Sequence, residues 1–73
     1  MQSPILEYFA INFDTRMGAD VHYVRHRADG KKYRVTLRDL DSDSIVYPII
    51  FYPTLSAATD KADALAGVVE VAS

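Results

Sequence analysis

The sequence predicts an α+β module in which an antiparallel four-stranded sheet is followed by one C-terminal helix packed on one face. Four segments rich in β-branched and aromatic residues alternate in polarity with the period of a strand. One later segment, 53–67, has the apolar spacing of a helix. The predicted order of elements is β-β-β-β-α. Because the sheet and the helix each have one apolar side to bury, we expect them to pack against each other.

The first predicted strand covers 5–13, followed by a loop at 14–20 that contains Gly18 and two aspartates. Strict alternation divides this strand into two sets of side chains. Ile5, Glu7, Phe9, Ile11 and Phe13 share one face, and Leu6, Tyr8, Ala10 and Asn12 share the other. The remaining predicted strands cover 21–27, 31–38 and 45–52. Pro48 cannot donate to a ladder, which places the last strand at an edge or a bulge.

The turn between the second and third strands sets which residues share a face, and the sequence leaves two registers open. A two-residue loop of Asp29 and Gly30 is one solution. In the other, the loop covers 28–30, Gly30 is left-handed, and Arg27 lies opposite Lys31. The second register is favoured because it gives an apolar core face. That face carries Val21, Tyr23, Tyr33, Val35 and Leu37.

The helix has signals at both ends. Thr54 or Ser56 can accept a hydrogen bond as N-cap, and Gly67 is suited to a left-handed C-cap. The apolar stripe is rich in alanine, so the helix is expected close to the sheet. It comprises Leu55, Ala58, Ala62, Leu65 and Ala66. The following residues, 68–72, predict either a frayed tail or a short fifth strand.

Length and composition set broad limits. The 73 residues predict a single small domain, 1–73, that buries about 60% of its unfolded surface. The chain has no cysteine, which excludes disulfides and thiolate metal sites and agrees with a cytoplasmic setting. The N-terminal segment has no basic region, and Glu7 interrupts its apolar run. We therefore expect no signal peptide and no membrane span.

Positive charge is concentrated in the predicted hairpin. Residues 22–38 contain six lysines or arginines and one acid, a net charge of +5, whereas the rest of the chain carries −7. Either register leaves Lys32, Arg34 and Arg38 exposed on the face opposite the helix. Basic side chains of this kind protect sheets from aggregation, but their clustering also indicates an anionic partner. The predicted electrostatic contacts are Arg25, Arg27, Lys32, Arg34 and Arg38, with Tyr23 or Tyr47 as aromatic anchors.

No motif supports catalysis or a cofactor. Asp39, Asp41 and Asp43 begin like a calcium loop, but the pattern lacks the glycine and glutamate it requires, so a locally hydrogen-bonded turn is expected. His22 and His26 would lie roughly 13 Å apart on a strand, too far for one metal. We therefore expect neither an enzyme nor a metal site.

Two resemblances follow from "ADGKKYRV…FYPTLSAATDKADALA" and the order of elements. The layout is similar to small phage-encoded anti-CRISPR proteins, which implies a non-enzymatic inhibitor that docks on a nucleic-acid-guided complex of the host. It also resembles the arm-binding domain of tyrosine integrases, where the basic sheet face would enter a DNA groove. The residues that echo that domain's entry into its helix are Phe51, Thr54, Ala57 and Ala58.

The sequence therefore predicts a binding module in the cytoplasm of a host cell. The leading hypothesis is a phage or mobile-element inhibitor that engages a host protein or ribonucleoprotein through the basic hairpin. The second is a DNA-binding domain that uses the same face, although the net charge of −2 disfavours autonomous phosphate binding. The third is a structural protein that self-assembles, as a homodimer or larger, through the strand edge at Pro48 or through 68–72.

Overall fold

The predicted α+β fold is confirmed. The computed structural model describes residues 4–67, which form an antiparallel sheet and one helix. The elements are β1 (Ile5–Asn12), β2 (Met17–Tyr23), β3 (Tyr33–Asp39), β4 (Ser44–Ile45), β5 (Ile50–Tyr52) and α1 (Leu55–Ala66). The sheet runs β1-β2-β3, and both β4 and β5 pair with β3 at its far side. The predicted tail or strand at 68–72 lies outside the described residues.

A bulge in β1 overturns the predicted division of its side chains. Leu6 pairs with His22 and Phe9 pairs with Asp20, with the register shifting between Leu6 and Tyr8. Because His22 and Asp20 lie on the same face of β2, Leu6 shares a face with Phe9 rather than with Tyr8. The extra residue in β1 thus places the side chains of Ile5 and Leu6 on the faces opposite to those predicted.

The predicted loop at 14–20 is wrong in its second half, where β2 begins at Met17. The actual turn is short. The side chain of Asn12 accepts hydrogen bonds from the amides of Asp14 and Thr15, at 2.9 and 3.2 Å, and Arg16 adopts a positive φ of 60°. An asparagine that satisfies the turn amides makes a four-residue connection possible.

The β2–β3 pairing retains the faces of the favoured register but not its tight turn. Tyr23 lies opposite Tyr33, and the amide of Val24 donates to the carbonyl of Lys32 at 2.6 Å. Relative to the predicted register the pairing is displaced by two residues, an even number, so the core face is as expected. Gly30 has the predicted left-handed conformation, with φ of 80°. The loop itself is longer than predicted, because β2 ends at Tyr23 and β3 begins at Tyr33.

The predicted last strand is divided in two. Arg38 pairs with Ile45 and Val35 pairs with Ile50. Residues 46–49 lie outside the strands, although the amide of Val46 still donates to the carbonyl of Leu37 at 3.0 Å. Pro48 stands within this interruption, as a residue without an amide proton requires. The far edge of the sheet is therefore short and discontinuous.

The acidic turn between β3 and β4 closes on itself, as predicted. The amide of Asp41 donates to Asp39 Oδ1 at 2.9 Å, and Asp43 has a φ of 57°. Asp41 forms an exposed ion pair with Arg16, and that hydrogen-bonded contact raises the pKa of the arginine. The Asp41–Arg16 ion pair thereby connects this turn to the β1–β2 turn.

The helix begins and ends at the predicted residues. Thr54 is the N-cap, whose side chain accepts from the amide of Ala57 at 3.2 Å, and Gly67 is the left-handed C-cap, with φ of 76°. Among residues 4–67 no helix is long and apolar enough to cross a bilayer.

Small side chains form the contact between the helix and the sheet. Ala58, Ala62 and Ala66 are almost completely inaccessible on the helix, and Ala19 is equally buried on β2. The core is completed by Ala10, Val21, Val35 and Leu37. Since the buried residues of the helix are all alanines, the helix lies close to the sheet and the core is thin.

Overfilling this contact should destabilise the fold. We expect Ala62→Leu to lower the free energy of unfolding by about 1–3 kcal/mol, because the added methylenes have no space between helix and sheet. Ala64→Leu, at an exposed position of the same helix, should change it by less than about 0.5 kcal/mol. Urea denaturation followed by circular dichroism measures both, and equal effects would contradict a close helix–sheet contact.

Candidate functional site

The face of the sheet opposite α1, here called the open face, carries the most distinctive side chains of the described chain. The strand pairings arrange it in three rows that cross the sheet. The first row is Leu6, His22, Arg34 and Phe51; the second is Phe9, Asp20 and Thr36; the third is Ile11, Gly18, Arg38 and Ile45. Two predicted contacts, Arg34 and Arg38, therefore lie on one face opposite the helix, as expected, but both are half-buried rather than exposed.

One side of the open face is apolar. Leu6, Phe9 and Ile11 project from β1 with exposed fractions of 55, 48 and 37%. A surface that contacts only water rarely carries three large apolar side chains next to one another. Sequence reasoning placed Phe9 and Ile11 on one face but Leu6 on the other, because the bulge that brings Leu6 to this face has no signal in the alternation.

The centre of the open face is a buried polar cluster. The carboxylate of Asp20 is 5% exposed and accepts a hydrogen bond from the hydroxyl of Thr36, the residue opposite it. Arg38 Nε lies 3.6 Å from the other carboxylate oxygen, and His22 Nδ1 lies 3.2 Å from the first without hydrogen-bond alignment. A carboxylate can be buried only with such compensation. Sequence reasoning missed this cluster because it placed Asp20 in a loop.

Arg34 differs from its neighbour Arg38. Arg38 has two carboxylates nearby, Asp20 and the exposed Asp43 at 3.7 Å. No ion pair joins Arg34 to a carboxylate of residues 4–67, and its Nε is buried without a hydrogen-bond partner. A buried donor without an acceptor carries a desolvation cost of about 1–3 kcal/mol. Arg34 thus lacks both a carboxylate partner among residues 4–67 and an acceptor for its Nε.

Two cations of the β2–β3 loop, Arg27 and Lys32, make contacts within the protein. Arg27 forms an ion pair with Asp29, and its guanidinium lies 3.7 Å from the centre of the Phe51 ring. Lys32 Nζ donates to the carbonyls of Arg25 and Arg27, at 2.9 and 2.6 Å. The expectation that Lys32 lies free in water on the sheet face is therefore wrong. Arg25 is exposed in this loop and does not belong to the three rows.

The two tyrosines predicted as anchors lie elsewhere. Tyr23 packs against Tyr33 on the helix side of the sheet, with ring centroids 5.3 Å apart. Tyr47 lies in the interruption between β4 and β5, where Lys61 of the helix is 5.7 Å from its ring centre. Neither belongs to the surface that carries Arg34 and Arg38. The predicted set of contacts is therefore divided among the open face, the loop and the helix side.

Metal chemistry finds no support on the described residues, since 4–67 contain no group of three or more histidines and carboxylates placed to hold an ion. Comparison with protein-family models, with curated proteins and with solved structures gave no significant match. The functional argument accordingly depends on the geometry of the open face.

The buried and exposed carboxylates near Arg38 should contribute very differently. Asp20→Ala leaves Thr36 and Arg38 without their acceptor, and we expect a loss of about 1–3 kcal/mol in the free energy of unfolding. Asp43→Asn removes the charge of a carboxylate in contact with water and keeps a residue that tolerates the left-handed backbone of this position, so it should cost less than about 0.5 kcal/mol. Chemical denaturation of the two variants measures both losses. Similar losses would mean that the buried carboxylate stabilises the fold no more than the exposed one.

The β2–β3 loop should loosen in acid. The side chain of Arg27 and, at 3.0 Å, the amide of Lys31 hydrogen-bond to Asp29 and hold its pKa below its ordinary value of 3.8. A lowered pKa means that the contacts are intact above 3.8 and are lost as the pH falls through the lower, folded-state value. A chemical-shift titration of the Lys31 amide should show an inflection below pH 3.8 that is absent in Asp29→Asn. An inflection at or above 3.8 would contradict the loop contacts.

Proposed function

We propose that this chain is a binding module that docks on another protein through the open face, with an acidic, partly apolar segment as its ligand. The observation that supports this most directly is Arg34, a half-buried arginine on the open face that forms no ion pair with a carboxylate of residues 4–67. Its Nε is buried, and a partner's carboxylate would pair with the part of this cation that remains accessible. The apolar residues of β1 on the same face would contact the side chains beside the carboxylate.

The chemistry of the guanidinium favours a carboxylate ligand. Its planar array of donors matches two carboxylate oxygens, and it gives up hydration more easily than an ammonium does. His22 and Phe51, the neighbours of Arg34 across the strands, partly enclose it and lower the local dielectric constant. Arg38 adds positive charge two rows away, so an acidic segment lying across the rows meets cations on one side and apolar residues on the other.

DNA remains the second candidate, since a phosphate can also satisfy Arg34. Two features weigh against it in this proposal. The loop residues Arg27 and Lys32 are engaged within the protein, which reduces the number of cations available for phosphates. The chain outside 22–38 carries a net charge of −7, which repels a polyanion. The narrower hypothesis of a phage-type inhibitor in a host cytoplasm depends on the resemblance alone and stays a prediction.

Arg34→Met should separate binding from stability. We expect peptides selected on the wild-type protein from a random twelve-residue display library to be enriched in Asp or Glu flanked by apolar residues. Arg34→Met should weaken their binding about 10- to 100-fold, because a hydrogen-bonded charge pair is lost. The same substitution removes an unsatisfied donor, so the free energy of unfolding should be unchanged or higher.

Arg16→Met is the matched control, because Arg16 is an exposed arginine of the β1–β2 turn and is paired with Asp41. It should leave peptide binding unchanged. Selection of basic peptides, or selected peptides that bind Arg34→Met as tightly as the wild type, would contradict the proposal. Tight, steeply salt-dependent binding of a random DNA duplex that Arg34→Met weakens would instead favour the second candidate.

A further inference from the structure

We infer that His22 is a second anion-binding residue of the open face, which binds a ligand's carboxylate together with Arg34 only when its imidazole is protonated. Docking thereby becomes stronger in mild acid. This inference rests on the docking proposal and deepens it, because it names a residue that regulates the same site. The positions of His22, Arg34 and Asp20 on the sheet carry it.

His22 and Arg34 are neighbours on two strands. They lie directly opposite each other in the β2–β3 pairing, so their side chains share the first row of the open face. Among residues 4–67, the side-chain atoms that are buried without a hydrogen-bond partner are His22 Nδ1 and Arg34 Nε. Both side chains as a whole are half-buried rather than inaccessible. A carboxylate that reaches the accessible part of Arg34 therefore lies beside the imidazole.

Asp20 determines which nitrogen of His22 faces a ligand. Its Oδ1 lies 3.2 Å from Nδ1 of the imidazole, whose side chain is 22% exposed. Since Nδ1 is buried, the accessible part of the ring lies away from this carboxylate and leaves Nε2 for a ligand. A lone pair that faces a carboxylate is unfavourable, so the neutral ring carries its proton on Nδ1. Nε2 then has a lone pair, which repels a ligand's carboxylate.

Protonation of His22 reverses this interaction. The imidazolium has a proton on each nitrogen, so Nε2 becomes a donor and the ring gains a positive charge. The imidazole of histidine ordinarily changes its charge between about pH 5 and pH 8, a range in which an exposed aspartate of a ligand stays ionised. Within this range, the first row changes from one cation beside a lone pair to two adjacent cations.

The charges around His22 act in both directions. The carboxylate of Asp20 favours the imidazolium, whereas the guanidinium of Arg34, opposite on β3, opposes it. The other charged residues around these rows are Glu7 beside Leu6 on β1, Arg38 with its neighbour Asp43, and Arg27, which lies over Phe51 and pairs with Asp29. A ligand's carboxylate adds an anion on the accessible side of the ring. Ligand binding and protonation of His22 therefore favour each other, by the same factor in both directions.

The test uses a defined peptide, acetyl-Leu-Asp-Leu-amide, and its uncharged counterpart, acetyl-Leu-Asn-Leu-amide. NMR titration of the full chain measures their dissociation constants at about pH 8 and about pH 5.5. We expect the aspartate peptide to bind about three- to tenfold more tightly at the lower pH. It should also move the titration midpoint of the His22 ring signals to higher pH. The asparagine peptide should do neither.

His22→Gln removes the titrating group, and we expect it to bind the aspartate peptide equally at both pH values. His26→Gln is the matched control, because His26 is the other of the chain's two histidines and is exposed in the β2–β3 loop. It should keep the full pH dependence. Circular dichroism at both pH values establishes that each variant is folded. The shift of the His22 ring signals is measured on the wild type, so it tests the inference even if His22→Gln does not fold.

Equal affinity of the wild type at both pH values would overturn the inference, and so would a pH dependence that persists in His22→Gln or disappears in His26→Gln. If Arg34→Met weakens binding in these cases, the docking proposal stands without this inference. Absence of aspartate-peptide binding at both pH values, or binding that Arg34→Met leaves unchanged, would overturn the inference and contradict the docking proposal as well.

Discussion

The close contact between the alanine face of α1 and the sheet is the constraint on which the rest of the structure depends. Ala58, Ala62 and Ala66 have no bulk to hold the helix away, and Ala19 receives them on β2. Residues 4–67 form one helix, which covers one face of the sheet. Within that range, no second layer buries the other face.

The open face compensates for that missing layer in two ways. At its centre, short polar side chains satisfy one another, with Asp20 accepting from Thr36. Around that centre, Arg38 is paired, whereas Arg34 has no carboxylate partner among residues 4–67. The apparent basic surface of the sequence is thereby divided. Loop cations stabilise the loop and one strand cation stabilises the buried carboxylate, which leaves Arg34 as the cation that we propose for an external anion.

Single residues determine where the pairing of the described strands is irregular. Pro48 lies in an interruption that separates β4 from β5, both of which are short. In β1, the extra residue disturbs only the beginning of the strand.

Local chemistry by itself determined the helix and the polarity of the central strands. Thr54 and Gly67 act on amides and carbonyls within a few residues, and Val21, Val35 and Leu37 follow a period that survives any even shift of register. Only the tertiary structure decided the start of β2, the face of Leu6 and the different roles of Arg34 and Arg38. These depend on which residue lies across the strand, because a bulge, a carboxylate such as Asp20 or an unpaired donor is defined by a neighbour distant in sequence.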